Sequence, residues 1–317
     1  QSNNPISPYA SSQATQDTVQ NQTQYVSGKV VDDYISGATV FIDTNGNETL
    51  DEGEPSTISD NFGNYSLPFA VGRLISIGGI DIGTQQPVDG LSLSAPIEEY
   101  TETKMITPVT SLLSTEAEEA EIKEALGIPE YLDLNTADPI VEREREGGDN
   151  TLYEVGNQIT VMALSLLEVV ETQSSSEEST LNIIEKLSEE IKEKKKESPT
   201  GQVSLESTEI VDNLIDDVLT EANIEIEEDK LSNVVNAVAN LVSTISADQD
   251  DETTKAVLSF GVTTFLSDVV EIVEGTASDE KINSYNAETI VETLSATLSI
   301  DTSRLKINKD PALAQDL

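Results

Sequence analysis

Oxygen-bearing side chains are concentrated between residues 43 and 54, in the stretch Asp-Thr-Asn-Gly-Asn-Glu-Thr-Leu-Asp-Glu-Gly-Glu. Calcium binds about six to eight hard oxygen ligands, and a twelve-residue calcium loop supplies them from its first, third, fifth, seventh, ninth and twelfth positions. Placed on that pattern, the stretch has a donor at each position, with a main-chain carbonyl at the seventh. The predicted calcium ligands are Asp43, Asn45, Asn47, Thr49, Asp51 and Glu54.

The stretch departs from the usual calcium loop at its sixth position, where Glu48 replaces glycine and Gly46 lies two residues earlier. It follows an alternating segment, residues 38–42, and precedes Pro55, so two helices do not flank it. Magnesium fits less well because it favours fewer protein ligands and tighter geometry. The alternative interpretation is an acidic turn, rich in Asn and Gly, that only looks like a ligand set.

Two further aspartates, Asp60 and Asp81, lie in turn-like sequence near the predicted module. Either could add a ligand or form part of a second calcium site. The default interpretation of each is a surface aspartate in a turn.

The side chains needed for most catalytic mechanisms are missing from the sequence. The chain has no Cys and no His, which removes the commonest transition-metal ligands and the usual nucleophile–base pairs. It also lacks a glycine-rich phosphate loop followed by Lys and Ser or Thr. We therefore predict that the protein is not an enzyme, and a hydrolase working with paired carboxylates is a minor alternative.

The charge of the chain restricts its partners. Lys and Arg total 17 against 60 Asp and Glu, a formal charge of −43. Such a surface repels nucleic-acid phosphates and anionic membranes, and it suits solubility in salt or the collection of divalent cations. No apolar run approaches the roughly 20 residues that span a bilayer. Because the chain begins with Gln1, we expect a mature secreted form after removal of a signal peptide.

Periodicity predicts a segregated α+β fold. Between residues 25 and 100, β-branched residues alternate with polar ones and Gly-Asn pairs punctuate the segments, which predicts a small β-sandwich. From about residue 101 to 300, apolar residues recur at helical spacing, which predicts an acidic helical bundle. One apolar stripe runs from Leu152 to Val169 and another from Val257 to Val273. Thr151 and Glu154 have the spacing of a capping box at the start of one helix.

The two ends of the chain are predicted to lie outside these domains. Residues 1–24 form a polar arm, rich in Gln, Asn, Ser and Thr, which serves either as a flexible spacer or as a strand donated to a neighbouring sheet. Residues 301–317 form a C-terminal tail, in which residues 304–307 alternate and predict a short strand.

The stretch from Ser36 to Asn47, continued by residues 51–55 and 60–65, resembles the calcium-binding B-type repeat modules of bacterial surface adhesins. Those modules are prealbumin-like β-sandwiches related to carboxypeptidase regulatory domains. The resemblance implies that Asp43, Asn45, Asn47, Asp51 and Glu54 hold a calcium ion that rigidifies the module. Residues 106–113, 125–129 and 138–140 are similar, more loosely, to segments that follow such modules in secreted proteins of aquatic bacteria.

These observations lead to two function hypotheses. The first is a secreted, calcium-binding structural subunit of a bacterial cell surface or extracellular filament, which self-associates by strand addition. The alternative is a monomeric adhesin or binding module that recognises a glycan or another surface protein. Neither hypothesis involves nucleic acid or membrane insertion.

Overall fold

The computed structural model describes residues 23–174, 178–246 and 249–305. Small antiparallel sheets occupy the N-terminal part, and helices follow them, so the predicted segregated α+β fold is confirmed. The predicted donated strand in residues 1–24 falls almost wholly outside the described residues. In the C-terminal tail, Arg304, the first residue of the strand predicted at 304–307, instead ends a 3-10 turn, Thr302–Arg304, and residues 306–317 lie outside the described part.

The strands form three antiparallel groups. β1 pairs with β5, β2 pairs with β7, and a four-stranded sheet has the order β4-β3-β6-β8. Their bounds are β1 Tyr25–Lys29, β2 Ile35–Ser36, β3 Thr39–Asp43, β4 Ser56–Ile58, β5 Asn64–Pro68, β6 Gly72–Ile77, β7 Ile80–Asp81 and β8 Ser92–Ile97.

The free side of β1 is covered by the segment that leads into the helices. Ser27 N–H donates to the Glu102 carbonyl at 3.0 Å, and Lys104 N–H donates back to the Ser27 carbonyl at 2.9 Å. This close approach requires a glycine in β1, since a Cβ at Gly28 would lie 1.7 Å from the Lys104 carbonyl oxygen. Tyr65 OH also donates to that carbonyl, at 2.5 Å.

The edge of the four-stranded sheet at β8 is also covered, in this case by side chains of the helical part. Ser92 N–H donates to Thr180 Oγ1 and Ser94 N–H donates to Ser111 Oγ, both at 2.7 Å. These bonds satisfy backbone donors that an edge strand otherwise leaves unpaired. The opposite edge is the short strand β4, in which Ile58 is 59% exposed.

The helical part begins with a 3-10 turn at Thr110–Leu112 and a second at Glu116–Glu118. Its helices are α1 Glu119–Ala125, α2 Pro139–Glu144, α3 Thr151–Gln173, α4 Thr180–Glu197, α5 Thr208–Ala222, α6 Glu228–Val242, α7 Asp251–Gly261, α8 Thr264–Glu274, α9 Asp279–Ser284 and α10 Ile290–Leu298. The apolar stripe predicted through Leu152 and Val169 is the buried face of α3.

Two details of the helices differ from the sequence expectations. The capping box predicted at Thr151 is wrong, because Thr151 is already the first helical residue of α3 and its N–H donates to Asp149 Oδ1 at 2.8 Å. The stripe predicted from Val257 to Val273 is divided between α7 and α8.

One stretch among the described residues, Asp251–Glu274, is long and apolar enough to cross a membrane by length and composition alone. This stretch was not anticipated from the sequence. In the fold it is α7 followed by α8, and Phe265, Val269 and Ile272 are buried against the other helices. A buried core helix passes the same test, so the finding carries little weight for a membrane location.

The strands and the helices share one apolar core. Val26, Ile42 and Leu67 of the strands belong to the same buried cluster as Ile159 and Leu166 of α3. A second, small cluster packs Phe41 and Ile75 of the sheet's outer face against Leu181 of α4. The β part is therefore joined to the helices through the common core and through the Phe41 and Ile75 face of its larger sheet.

Candidate metal centre

The predicted calcium loop lies between β3, which ends at Asp43, and β4, which begins at Ser56. Asp43 is only 2% exposed because it ends a central strand. The remaining predicted ligands lie on the surface or are partly buried. The first ligand position is thus fixed by the sheet, and the others depend on the path of the loop.

The Asp43 carboxylate organises the loop by accepting hydrogen bonds from the loop's main-chain N–H groups. Its Oδ1 accepts hydrogen bonds from the N–H groups of Asn45 and Gly46 at 3.1 and 2.7 Å, and its Oδ2 accepts one from Glu48 N–H at 2.8 Å. Burial of the carboxylate raises its pKa, but these main-chain donors outweigh burial, so the pKa of Asp43 lies below its ordinary value. The carboxylate is therefore held ionised, as a metal ligand requires.

Three oxygen-bearing side chains meet at one point of the loop. The amide Nδ2 atoms of Asn45 and Asn47 donate to Asp51 Oδ2 at 2.7 and 2.8 Å. The Oδ1 atoms of the same amides accept from the main-chain N–H groups of Asn47 and Thr49, at 3.1 and 2.9 Å. The structure thus brings together the third, fifth and ninth positions of the predicted ligand set.

Glu54 closes the loop from its far end. Its Oε1 accepts from Thr44 N–H at 2.7 Å and from the Thr44 hydroxyl at 3.0 Å, and its Oε2 accepts from Asp51 N–H at 3.1 Å. Both carboxylate oxygens therefore bind donors of the loop itself, whereas the twelfth position of the calcium pattern directs both at the ion.

The sixth position has the backbone conformation that usually calls for glycine. Glu48 has φ of 59° and Gly46 has φ of 78°, both in the left-handed region. A residue with a Cβ is strained there by about 1 kcal/mol or more. The sharp turn predicted for a calcium loop is present, and Glu48 makes it despite its side chain.

In the described part of the chain, no three acidic side chains converge closely enough to form a metal-binding cluster, and this holds for the loop as well. Asp43 and Glu54 are directed at main-chain N–H groups instead of at the Asp51 carboxylate. Asp60 and Asp81, the two additional candidates, each bind the main chain of their own turn: Asp60 accepts from Phe62 N–H at 2.8 Å, and Asp81 accepts from Gly83 N–H at 2.7 Å.

Sequence reasoning missed a second group of acidic residues, at the junction of the strands and the helices. Asp32 and Asp33 lie in the turn before β2, and both are buried together with Asp81. Asp32 Oδ1 accepts a hydrogen bond from the Thr160 hydroxyl of α3 at 2.6 Å. A signal was present in the sequence, since two adjacent aspartates lie between Val31 and Tyr34 in an otherwise apolar segment, but aspartate is rarely buried.

Burial raises the pKa of all three junction aspartates, and neighbouring carboxylates add to the shift at Asp32 and Asp33. Burial raises the pKa of Asp33 to about 6, and the charge of Asp81 acts in the same direction. Burial also raises the pKa of Asp32 well above its ordinary value, with help from Asp81 and against the hydrogen bond from Thr160.

Comparison with protein-family models, with curated proteins and with solved structures yields no match. The resemblance to B-type repeat modules therefore rests on the residues and motifs quoted above, and the interpretation of the loop rests on its own geometry.

Proposed function

We propose that this chain is a secreted, calcium-binding structural subunit of a bacterial cell surface or extracellular filament. The observation that carries the proposal is the convergence of Asn45, Asn47 and Asp51 on one point of the loop that begins at the buried Asp43. A formal charge of −43 supports it, because divalent cations lower the self-repulsion of so acidic a surface.

The donor set has the chemistry of a calcium site. Asn45 and Asn47 now direct their amide nitrogens at Asp51 and their oxygens at main-chain N–H groups. A rotation of each amide on calcium binding would bring two hard oxygen ligands to this point. Asp43 and Glu54 supply the carboxylates of the first and twelfth positions, and Thr49 supplies a main-chain carbonyl. A bound calcium ion would replace hydrogen bonds within the loop by stronger ionic contacts, which stiffens the connection between β3 and β4.

Assembly by strand addition requires an edge strand with unpaired backbone groups. The β8 edge is covered by helix side chains, which leaves β4 as the open edge of the larger sheet among the described residues. In the β3–β4 ladder, Ile42 N–H donates to the Pro55 carbonyl, and Thr57 faces Val40. Because the bonds alternate along an antiparallel pair, the N–H groups of Ser56 and Ile58 point away from β3.

A pair of substitutions at Ile58 tests assembly through this edge. Ile58→Pro removes the outward N–H group, whereas Ile58→Thr keeps it and only lowers the apolar area. In millimolar calcium we expect electron microscopy to show filaments or sheets for the wild-type chain and for Ile58→Thr, but not for Ile58→Pro. The same samples in chelator should contain isolated particles.

The controls separate assembly from folding. Circular dichroism should show the same helical content for all three chains. Deletion of residues 1–24 should abolish assembly if this arm is the donated strand, and unchanged assembly would exclude the arm. Isolated particles in calcium for the wild-type chain would contradict the filament proposal and favour the monomeric adhesin, to be tested on a glycan array.

A further inference from the structure

A cavity of about 330 Å³ lies where the β part meets the helices. Its walls come from the turn before β2, from α2, from α3 and from the start of α7. At about 30 Å³ per water molecule, it has room for about ten non-hydrogen atoms. It is separate from the candidate calcium loop, since none of the loop's predicted ligands lines it.

The buried part of the cavity contains polar groups that the fold leaves without partners. Asp33 is 8% exposed and Tyr153 is 4% exposed, and both line the cavity. Asp33 Oδ2 and the Tyr153 hydroxyl have no hydrogen-bond partner among the described residues. More than about 90% of buried polar groups are hydrogen-bonded, so two such groups in one cavity indicate a site that takes a polar ligand.

The third such group is a cation. The Arg143 guanidinium lies 4.4 Å from the centre of the Tyr153 ring. Its Nη1 forms only a long ion pair with Asp251, at 3.4 Å, and no hydrogen bond. Its Nη2 bonds to Thr254 Oγ1 and to the Gln249 carbonyl are also long, at 3.5 and 3.4 Å. The guanidinium therefore has hydrogen-bonding capacity left for an anionic group.

The cavity thus contains a carboxylate oxygen without a hydrogen bond, from the turn before β2, and an incompletely bonded guanidinium and a phenol, from α2 and α3. Asp251, which pairs with Arg143 at 3.4 Å and with Lys255 at 2.9 Å, also lines the cavity, as does Glu144, so the cavity lining carries charges of both signs. A purely cationic ligand would leave Arg143 and the Tyr153 hydroxyl without an acceptor. A purely anionic ligand would leave Asp33 without a donor.

We propose that this cavity binds a small zwitterion with one ammonium and one carboxylate group, of the kind represented by a free α-amino acid. Its ammonium group donates to Asp33, and its carboxylate accepts from the Arg143 guanidinium and the Tyr153 hydroxyl. Charge-assisted hydrogen bonds of this type are the strongest that a site can offer, and a guanidinium matches the geometry of a carboxylate. Because the cavity walls come from both parts of the chain, the ligand would contact the turn before β2 and the helices at once.

The full chain can be tested directly with the twenty common L-amino acids, each at millimolar concentration, by thermal melting and then by titration calorimetry. Acetate and methylammonium serve as controls, because each carries only one of the two charges. We expect at least one amino acid to raise the melting temperature and to bind with saturable heat. Neither control compound should do so at the same concentration.

Two substitutions locate the ligand without disturbing the fold. Tyr153→Phe removes a hydroxyl that has no protein partner, and Asp33→Asn removes a buried charge, so neither should lower the melting temperature without ligand. Each should weaken amino-acid binding by roughly tenfold or more. Tyr25→Phe, at an exposed tyrosine outside the cavity, should leave the affinity unchanged.

Three results would overturn the proposal. If none of the twenty amino acids binds, the cavity holds water only. If acetate or methylammonium binds as well as the best amino acid, the ligand is not a zwitterion. If the affinity survives both Tyr153→Phe and Asp33→Asn, the amino acid binds elsewhere on the chain.

Discussion

At the residue scale, the spacing of oxygen donors was enough to locate the candidate calcium loop. The structure places the sharp turn where the pattern requires it and brings Asn45, Asn47 and Asp51 together. The spacing could not predict that Asp43 binds three main-chain N–H groups, because that depends on how the loop folds back over the end of β3.

Glu48 provides a residue-scale prediction, because its φ of 59° strains a side chain with a Cβ. We expect Glu48→Gly to raise the free energy of unfolding by about 1 kcal/mol relative to Glu48→Ala, since only glycine adopts this conformation freely. Urea denaturation of the two variants measures the difference. Both substitutions remove the same charge, so equal stabilities would show that the turn is not strained.

At the element scale, periodicity predicted the strands and most helices, because their buried faces repeat at fixed intervals. It did not predict the break between α7 and α8, where residues 262–263 interrupt a continuous apolar pattern. It also did not predict the buried turn at Asp32 and Asp33, since packing of the β part against α3 buries these charges and no local pattern records that contact.

The buried turn leads to a prediction about pH. The pKa of Asp33 is about 6 in the folded chain, above its ordinary value of 3.8, so folding takes up a proton between these two values. This proton uptake stabilises the folded state below the ordinary pKa, and the stabilisation is lost as the pH rises through about 6. From pH 4 to pH 7, the wild-type chain should therefore lose about 2 kcal/mol of stability relative to Asp33→Asn.

Chemical denaturation of both chains at several pH values measures this loss. Asp32 and Asp81 titrate in the same direction and remain in both chains, so the difference reports Asp33 together with its effect on the pKa of Asp32. A constant stability difference between the two chains across this range would mean that Asp33 is not buried against α3 and α7 in solution.

At the scale of the whole molecule, the strands and the helices belong to one core, and polar contacts join them as well. Lys29 Nζ and the Tyr34 hydroxyl both contact Asp138 Oδ2, at 3.1 and 3.0 Å. On the outer face of the sheet, Arg73 pairs with Glu185 of α4. The sequence indicated strands and helices but not the interface between them, because contacts between residues far apart in the chain produce no repeating sequence pattern.

This interface predicts cooperative unfolding of the entire chain. Differential scanning calorimetry should give a single transition whose calorimetric and van't Hoff enthalpies agree. Calcium should raise the temperature of that single transition for the entire chain. The helical circular dichroism signal should therefore be lost at a higher temperature in calcium, although the loop lies between two strands. Two separate transitions, of which calcium moves only one, would show that the β part and the helices fold independently.

The central claim is that the loop from Asp43 to Glu54 binds calcium, and two substitutions within it provide a matched test. Asp51→Asn removes the carboxylate on which Asn45 and Asn47 converge, whereas Glu52→Gln removes the same charge from an exposed neighbour that is not a predicted ligand. If calcium only screened the charge of the acidic surface as a whole, both substitutions would change its effect equally.

The most direct measurement is calorimetric titration of the full chain with calcium at fixed ionic strength. We predict one saturable site in the wild-type chain and in Glu52→Gln, and an affinity reduced by about tenfold or more in Asp51→Asn. A wild-type titration without saturable heat, or equal affinities for the two variants, would contradict the account and leave the loop as an acidic turn.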